Sequence, residues 1–266
     1  MIIPSKNGEA TIRRTLNSLL KQTIRPETMI VIDDASTDGT PQILNDFPEV
    51  RKIRLNHNLP KDFARVPKLI NLGFNQIAAP CDYVMISGDD CIFPTRYVEL
   101  LLSEFEHDPN LLVVSGSHMA QKIVEEASPH GAGRIMAYRF LRSILPFPES
   151  IGWESWVLFK ALQKGGAIKR VPEASFTHMR PYSSGSVRTF GQSMCTLGYP
   201  VLFVIARFLK NLLYSDYSSR FHSLYLILGY VEFCITRQRQ LDDVKSFVRS
   251  VQKARLVSFI RRQYLR

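Results

Sequence analysis

The chain has 266 residues, 45% of them hydrophobic, no low-complexity segment, and a formal net charge of +10, enough for one large or two small globular units with a real core. The charge is uneven, since Arg237 to Arg266 holds nine Lys or Arg against only Asp242 and Asp243. Four cysteines (Cys81, Cys91, Cys195, Cys234) show no CxxC pairing and stand in apolar or strand-like surroundings, which argues against a zinc site and a disulfide framework and fits a reducing compartment. Met1 runs straight into IIPSKN without a basic leader, so no signal peptide is expected and the expected location is the cytoplasm.

In chain order, the run MIIP reads as a strand, and Ile12, Leu16, Leu19 and Leu20 then fall at helical spacing. MIVI is a second strand, closed by VIDDASTDGT, residues 31 to 40, in which Thr40 as N-cap and Pro41 at the first helical position form a helix start. Ile70, Phe74, Ile77 and Ala78 define a further helix, YVMIS a further strand ending in Ser87-Gly88-Asp89-Asp90, and Val98, Leu101, Leu102 and Phe105 another helix. Strands alternating with helices imply a mainly parallel sheet with helical crossovers, and continuous apolar runs imply strands buried on both faces. In such sheets ligands bind beyond the carboxyl ends of the strands. That is where Pro4-Ser5-Lys6-Asn7, the adjacent Asp33 and Asp34, and Asp89 and Asp90 fall. Capping needs neither Asp33 nor Asp34, whereas hydrogen bonds from a base or ribose need a carboxylate acceptor there. Adjacent carboxylates such as Asp89 and Asp90 also suit a hard divalent cation holding a diphosphate.

The blocks IPSKNGEATIRRTLNSLLKQT, IVIDDASTDGT and NLGFNQIAAPCDYVMISGDD resemble, in order and spacing over about the first 95 residues, the nucleotide-binding half of family 2 glycosyltransferases, inverting enzymes with a GT-A fold that use nucleotide-sugar donors. The resemblance implies a GT-A α/β domain over residues 1–190 with helices on both faces of its sheet; from Gly191 onward it stops, and apolar helical stretches there read as a C-terminal helical extension over 191–266. It implies that Pro4 and Ser5 line the nucleoside pocket, that Asp33 and Asp34 bind base or ribose, and that Asp89 and Asp90 hold Mg²⁺ or Mn²⁺, with Asp89 also on the donor. Two departures stand out: Ser87 where the family's metal motif has a further aspartate, and Ile70 where many members carry arginine, which leaves Arg65 or Lys68 to supply a cation.

IGWESWVLFKALQKGG resembles the family's acidic helix start, with Ser155 where a second acid is common. Glu154 is thereby the expected general base toward an acceptor hydroxyl. For Trp153 and Trp156, sugar stacking and core packing both remain open. VPEASFTHMRPYSSGS matches a strand ending in His and a basic residue, which makes His178 an expected metal ligand and Arg180 a partner for donor phosphates. Arg188 in SSGSVRT is a further candidate, to close over the donor.

The expected activity is transfer of a sugar from a nucleotide-diphosphate donor to a hydroxyl on a glycan or lipid-linked acceptor. The rivals are a polyprenyl-phosphate sugar synthase, whose acceptor is a lipid phosphate, and a sugar-nucleotide-binding subunit without turnover. LGYPVLFVIARFL and FHSLYLILGYVEFCI are too short to span a bilayer as helices. For the basic C-terminal helix, with Val244, Phe247, Val248 and Val251 on one face, two accounts stay open: peripheral contact with the inner face of the membrane, or packing within the chain or a homo-oligomer. Nucleic acid is not an expected partner, because no nucleic-acid module accompanies the basic tail.

Overall fold

The computed structural model describes residues 1–60, 64–78, 81–119, 128–180, 184–213, 222–236 and 241–264. Position 183, where SSGSVRT begins, and Arg237 and Arg239 of the basic tail lie outside them. The chain forms two compact units, Met1–Glu149 with Lys164–Pro181, and Ser150–Gln163 with Tyr182–Arg266.

The first unit is α/β. Its elements are β1 (Ile2–Ser5), α1 (Ile12–Leu20), β2 (Met29–Asp33), α2 (Thr40–Asn45), β3 (Val50–Arg54), α3 (Arg65–Phe74), β4 (Tyr83–Ile86), β5 (Cys91–Ile92), α4 (Tyr97–His107), β6 (Leu111–His118), β7 (Arg134–Ala137), α5 (Tyr138–Arg142) and β8 (Ala167–His178). The sheet runs β3-β2-β1-β4-β7-β6-β8-β5. β1, β2, β3 and β4 are mutually parallel, β7 runs antiparallel to β4 and β6, and β8 is parallel to β6. β2 is buried at all five positions, the apolar Met29–Ile32 and the terminal Asp33, whereas the edge strand β3 buries Val50 and turns Arg51 and Lys52 to solvent. Ile12, Leu16 and Leu19, at helical spacing on α1, are fully buried.

Two boundaries differ from the sequence expectation. The α3 helix ends at Phe74, leaving Ile77 and Ala78 outside it. The cap of α2 is Gly39, and Thr40 lies inside the helix. There Asp38 is the acceptor, taking bonds from the Thr40 amide at 3.1 Å and the Thr40 hydroxyl at 2.5 Å. Between β6 and β8 the register slips: Gly116 faces Val171, but Ser117 faces Ser175. β8 therefore carries an extra stretch at Pro172, Glu173 and Ala174, with the proline where a bulge tolerates it.

The second unit is helical: α6 (Trp153–Gln163), α7 (Ser184–Thr196), α8 (Val201–Leu213), α9 (His222–Ile235) and α10 (Asp242–Tyr264). α7 and α9 pack closely through reciprocal glycines. A Cβ on Gly191 would stand 2.0 Å from the Leu226 carbonyl oxygen, and one on Gly229 would stand 2.1 Å from that of Arg188. Side chains there would drive the backbones apart. Cys195 and Cys234 are joined by a disulfide linking α7 to α9, contrary to the sequence expectation. The two half-cystines are separated by 39 positions and meet only through the glycine-mediated packing, which no local motif announces. Trp153 and Trp156 are both buried, and the Trp156 indole donates to Asp243 at 3.0 Å. Of their two open roles, core packing is the one observed. Val244 and Val248 of α10 are likewise fully buried within this unit. Among the described residues no helix is long and apolar enough to cross a membrane.

Candidate active site

At the carboxyl ends of β1, β2 and β4 the first unit gathers acidic side chains that are almost completely buried: Asp33, Asp34 and Asp89. Burial of carboxylates requires partners, and each has its own. Ser5, the last residue of β1, donates its hydroxyl to Asp89 Oδ2 at 2.6 Å. Arg180 Nη1 lies 3.1 Å from Asp89 Oδ1. Thr15 of α1 donates to the Asp89 carbonyl at 2.9 Å. Gly8 makes this approach sterically feasible, since a Cβ there would fall 2.4 Å from Asp89 Oδ2. Burial pushes the Asp89 carboxyl above the usual carboxylate range, against the Ser5 hydrogen bond and the Arg180 charge.

The β2 pair divides its duties. Asp33 Oδ1 accepts from the Ser36 amide at 3.0 Å. Its Oδ2 is buried without a hydrogen bond, 3.6 Å from Arg54 Nε. Asp34 Oδ1 accepts from the Leu59 amide at 2.8 Å, and Arg65 Nε forms an ion pair with Oδ2 at 2.5 Å. Lys6 Nζ donates to the carbonyls of Asp34 and Ala35 at 2.7 and 3.1 Å, and Ala35 adopts φ +46° in this turn. Arg65 is thus held on Asp34, while Lys68 pairs with Glu149 at 3.5 Å. Pro4 is half-buried within β1, opposite Ile32.

Asp90 faces the end of β8. The short β5 pairs antiparallel with β8, Cys91 opposite His178, and the Met179 amide donates to the Asp90 carbonyl at 2.8 Å. That register puts His178 Nδ1 3.5 Å from Asp90 Oδ1 and Cys91 Sγ 3.7 Å from both ring nitrogens. Burial opposes the charge on Asp90, but the hydrogen bond and charge of His178, with Arg180, hold its carboxyl below the usual range. Donor atoms of Asp90, Cys91 and His178 all lie within 4.8 Å of one another. A carboxylate and an imidazole at this spacing fit a divalent cation. Burial and the neighbouring Asp90 push the Cys91 thiol up to about 12, which makes it the weakest donor of the three. The rings of His118, His130 and His178 surround Phe176, and burial pushes the His130 imidazole down to about 3.

The sequence singled out Ser5, Asp33, Asp34, Asp89, Asp90, His178 and Arg180, and the first unit brings them to one end of its sheet. It did not point to the Ser5–Asp89 bond, the Arg65–Asp34 pair or Cys91. The adjacency of Cys91 to Asp90 was the available signal for the last. Glu154 belongs to the second unit, where it is exposed in the first turn of α6. Arg188 is engaged by Glu232 at 2.8 Å.

The model of the family described as "Glycosyl transferase family 2" matches residues 1–165. A poly-beta-1,6-N-acetyl-D-glucosamine synthase of Staphylococcus aureus (strain COL) is 30% identical over 114 residues, 42% of this chain and 26% of that synthase. This chain thus spans about a quarter of the length of the curated relatives it matches. Among solved structures, the mannosyltransferase PcManGT from Pyrobaculum calidifontis, in complex with GDP-Man and Mn²⁺, aligns with a TM-score of 0.66 at 17% identity, covering 89% of this chain and 87% of that one. S. aureus TarS 1-349 in complex with UDP-GlcNAc aligns with a TM-score of 0.54 at 18% identity, covering 89% and 72%. At these identities the likeness is one of fold.

Proposed function

Because this chain belongs to glycosyl transferase family 2, we propose that it is an inverting glycosyltransferase that moves a sugar from a nucleotide-diphosphate donor to an acceptor hydroxyl. The observation that carries the reading is the gathering of Ser5, Asp33, Asp34, Asp89, Asp90, His178 and Arg180 at one end of the sheet. Asp33 Oδ2, without a hydrogen bond and 3.6 Å from Arg54 Nε, is the acceptor offered to the base or ribose. Asp34, bound by Leu59 and Arg65, orders the wall of the same pocket, with Pro4 and Ser5 on its β1 side. Arg180 reaches the diphosphate from beside Asp89, where it is half-exposed.

Asp90 and His178 would hold Mg²⁺ or Mn²⁺ beside Asp89. When bound, that cation supplies positive charge against the diphosphate as it departs. A fold neighbour crystallised with GDP-Man and Mn²⁺ supports this. In the transfer, the acceptor oxygen bonds to the anomeric carbon, the bond from that carbon to the diphosphate oxygen breaks, and the acceptor's proton passes to a carboxylate. Glu154 is the proposed base, on its place in the family-like WES block and its exposed carboxylate.

The test is a thermal-shift screen of UDP-, GDP- and dTDP-sugars with Mn²⁺, followed by assay of nucleoside diphosphate release. Metal-dependent release with one of these donors is expected. A chain stabilised by a donor but releasing nothing with any acceptor would be a binding subunit.

A further inference from the structure

We propose that the second unit docks on an anionic lipid surface through the exposed apolar face of α8 and α9. The inference is independent of the donor chemistry proposed above.

α9 is apolar on nearly every side. Leu226 and Phe233 face inward and are buried. Its sole acid, Glu232, is paired with Arg188. A helix apolar all round is ordinarily covered all round, yet Leu224, Leu228, Val231 and Ile235, spaced down one side, are exposed, Leu228 at 57% and Ile235 at 74%. On α8, Leu202, Ile205 and Leu209 make a second exposed stripe, with Leu202 at 71%. The two stripes meet at an open groove of roughly 510 Å³ lined by Ile205, Phe208, Leu224, Ile227 and Leu228. A contiguous apolar surface of this kind marks a site covered by a partner or a membrane.

Charge selects the occupant. The second unit holds fourteen Lys or Arg against five Asp or Glu, so +9 of the chain's +10 resides there. Arg207 and Lys210 are exposed on α8 itself, and Arg249, Lys253 and Arg255 on α10. A second copy would bring the same +9 to the contact, whereas an anionic bilayer brings the opposite sign. At 13 and 14 residues, α8 and α9 are each about 20 Å long and lie on the surface without crossing it. The site differs from the one the sequence suggested. The face of α10 at Val244 and Val248 is already buried, so α10 contributes charge and the α8–α9 pair contributes the apolar contact.

The experiment is co-sedimentation of the full chain with vesicles of phosphatidylcholine alone or mixed with phosphatidylglycerol, at low and high salt. Binding is expected to the mixed vesicles and to weaken with salt. The variant carrying Leu202→Ser, Leu228→Ser and Ile235→Ser alters only exposed side chains. It should keep its melting temperature while losing at least about tenfold in vesicle affinity. Absence of binding to anionic vesicles at low salt overturns the proposal, as does undiminished binding by the triple variant. A concentration-dependent dimer that the triple variant abolishes, without vesicle binding, overturns it in favour of a second copy. A donor-induced thermal shift on the same preparations reads the glycosyltransferase proposal separately.

Discussion

The two units treat water in opposite ways. The first hides charge: Asp33, Asp34 and Asp89 are withdrawn from solvent and matched to Ser36, Leu59, Arg65, Ser5 and Arg180. The second leaves apolar side chains of α8 and α9 in water and carries nearly all the net charge of the chain. Buried, partnered charge is costly to assemble but holds donors and acceptors at fixed positions, as recognition of a polar ligand requires. Exposed apolar stripes fix nothing and suit adhesion.

Several substitutions would break or sharpen this contrast. The largest effect is expected for Glu154→Gln, which should lower sugar transfer by about 10²- to 10⁴-fold if it removes the general base while calorimetry shows donor affinity unchanged. A polyprenyl-phosphate acceptor, which needs little deprotonation, would make the variant nearly silent. Asp34→Ala should cost about 3–5 kcal/mol of fold stability by chemical denaturation, because Arg65 is left in a part-buried position without its counter-charge, and it should weaken nucleotide and nucleotide-sugar alike. Asp90→Ala removes a less buried carboxylate. Its fold should survive, and metal-dependent donor binding should fall by about 10- to 100-fold or more, read by calorimetry with and without Mn²⁺. Gly229→Ala probes the other unit and should lower stability by about 1–3 kcal/mol through overpacking against Arg188, leaving nucleotide affinity intact.

The last effect is a pH dependence, confined to the acid side. His130, whose folded-state value lies below its unfolded one, favours the fold while neutral. That contribution is complete above about 6.5 and is lost as pH falls from there toward about 3. His130→Gln should flatten the acid limb of a melting-temperature profile over that range.

Much of the first unit was legible because its signals are local. Strand runs, helical spacing and the aspartates at strand ends are written within short windows, and β1, β2, β4, α1 and α4 fall where those windows put them. What escaped was contact between distant segments. Nothing near Asp34 reveals that Arg65 lies against it, and Ser5 and Asp89 are 84 positions apart. The second unit was less legible still. Its Cys195–Cys234 bridge depends on glycines at 191 and 229 whose purpose shows only once two backbones meet. For α10, a basic amphipathic pattern fitted a membrane face and a packed face equally, since periodicity says which residues share a side and not what covers it.

The slip between β6 and β8 governs which way His178 points. β8 advances four residues while β6 advances one, from the Gly116–Val171 pair to the Ser117–Ser175 pair. That adds three residues on one strand, an odd number, and side chains alternate faces along a strand. The phase in which His178 arrives opposite Cys91, beside Asp90, is thus set at Pro172, Glu173 and Ala174, several residues upstream. Deleting one of these residues would present the imidazole to the opposite face of the sheet, and deleting two would restore it. The Asp90–His178 pair is in this sense counted into place, by the parity of a short stretch several residues upstream of it.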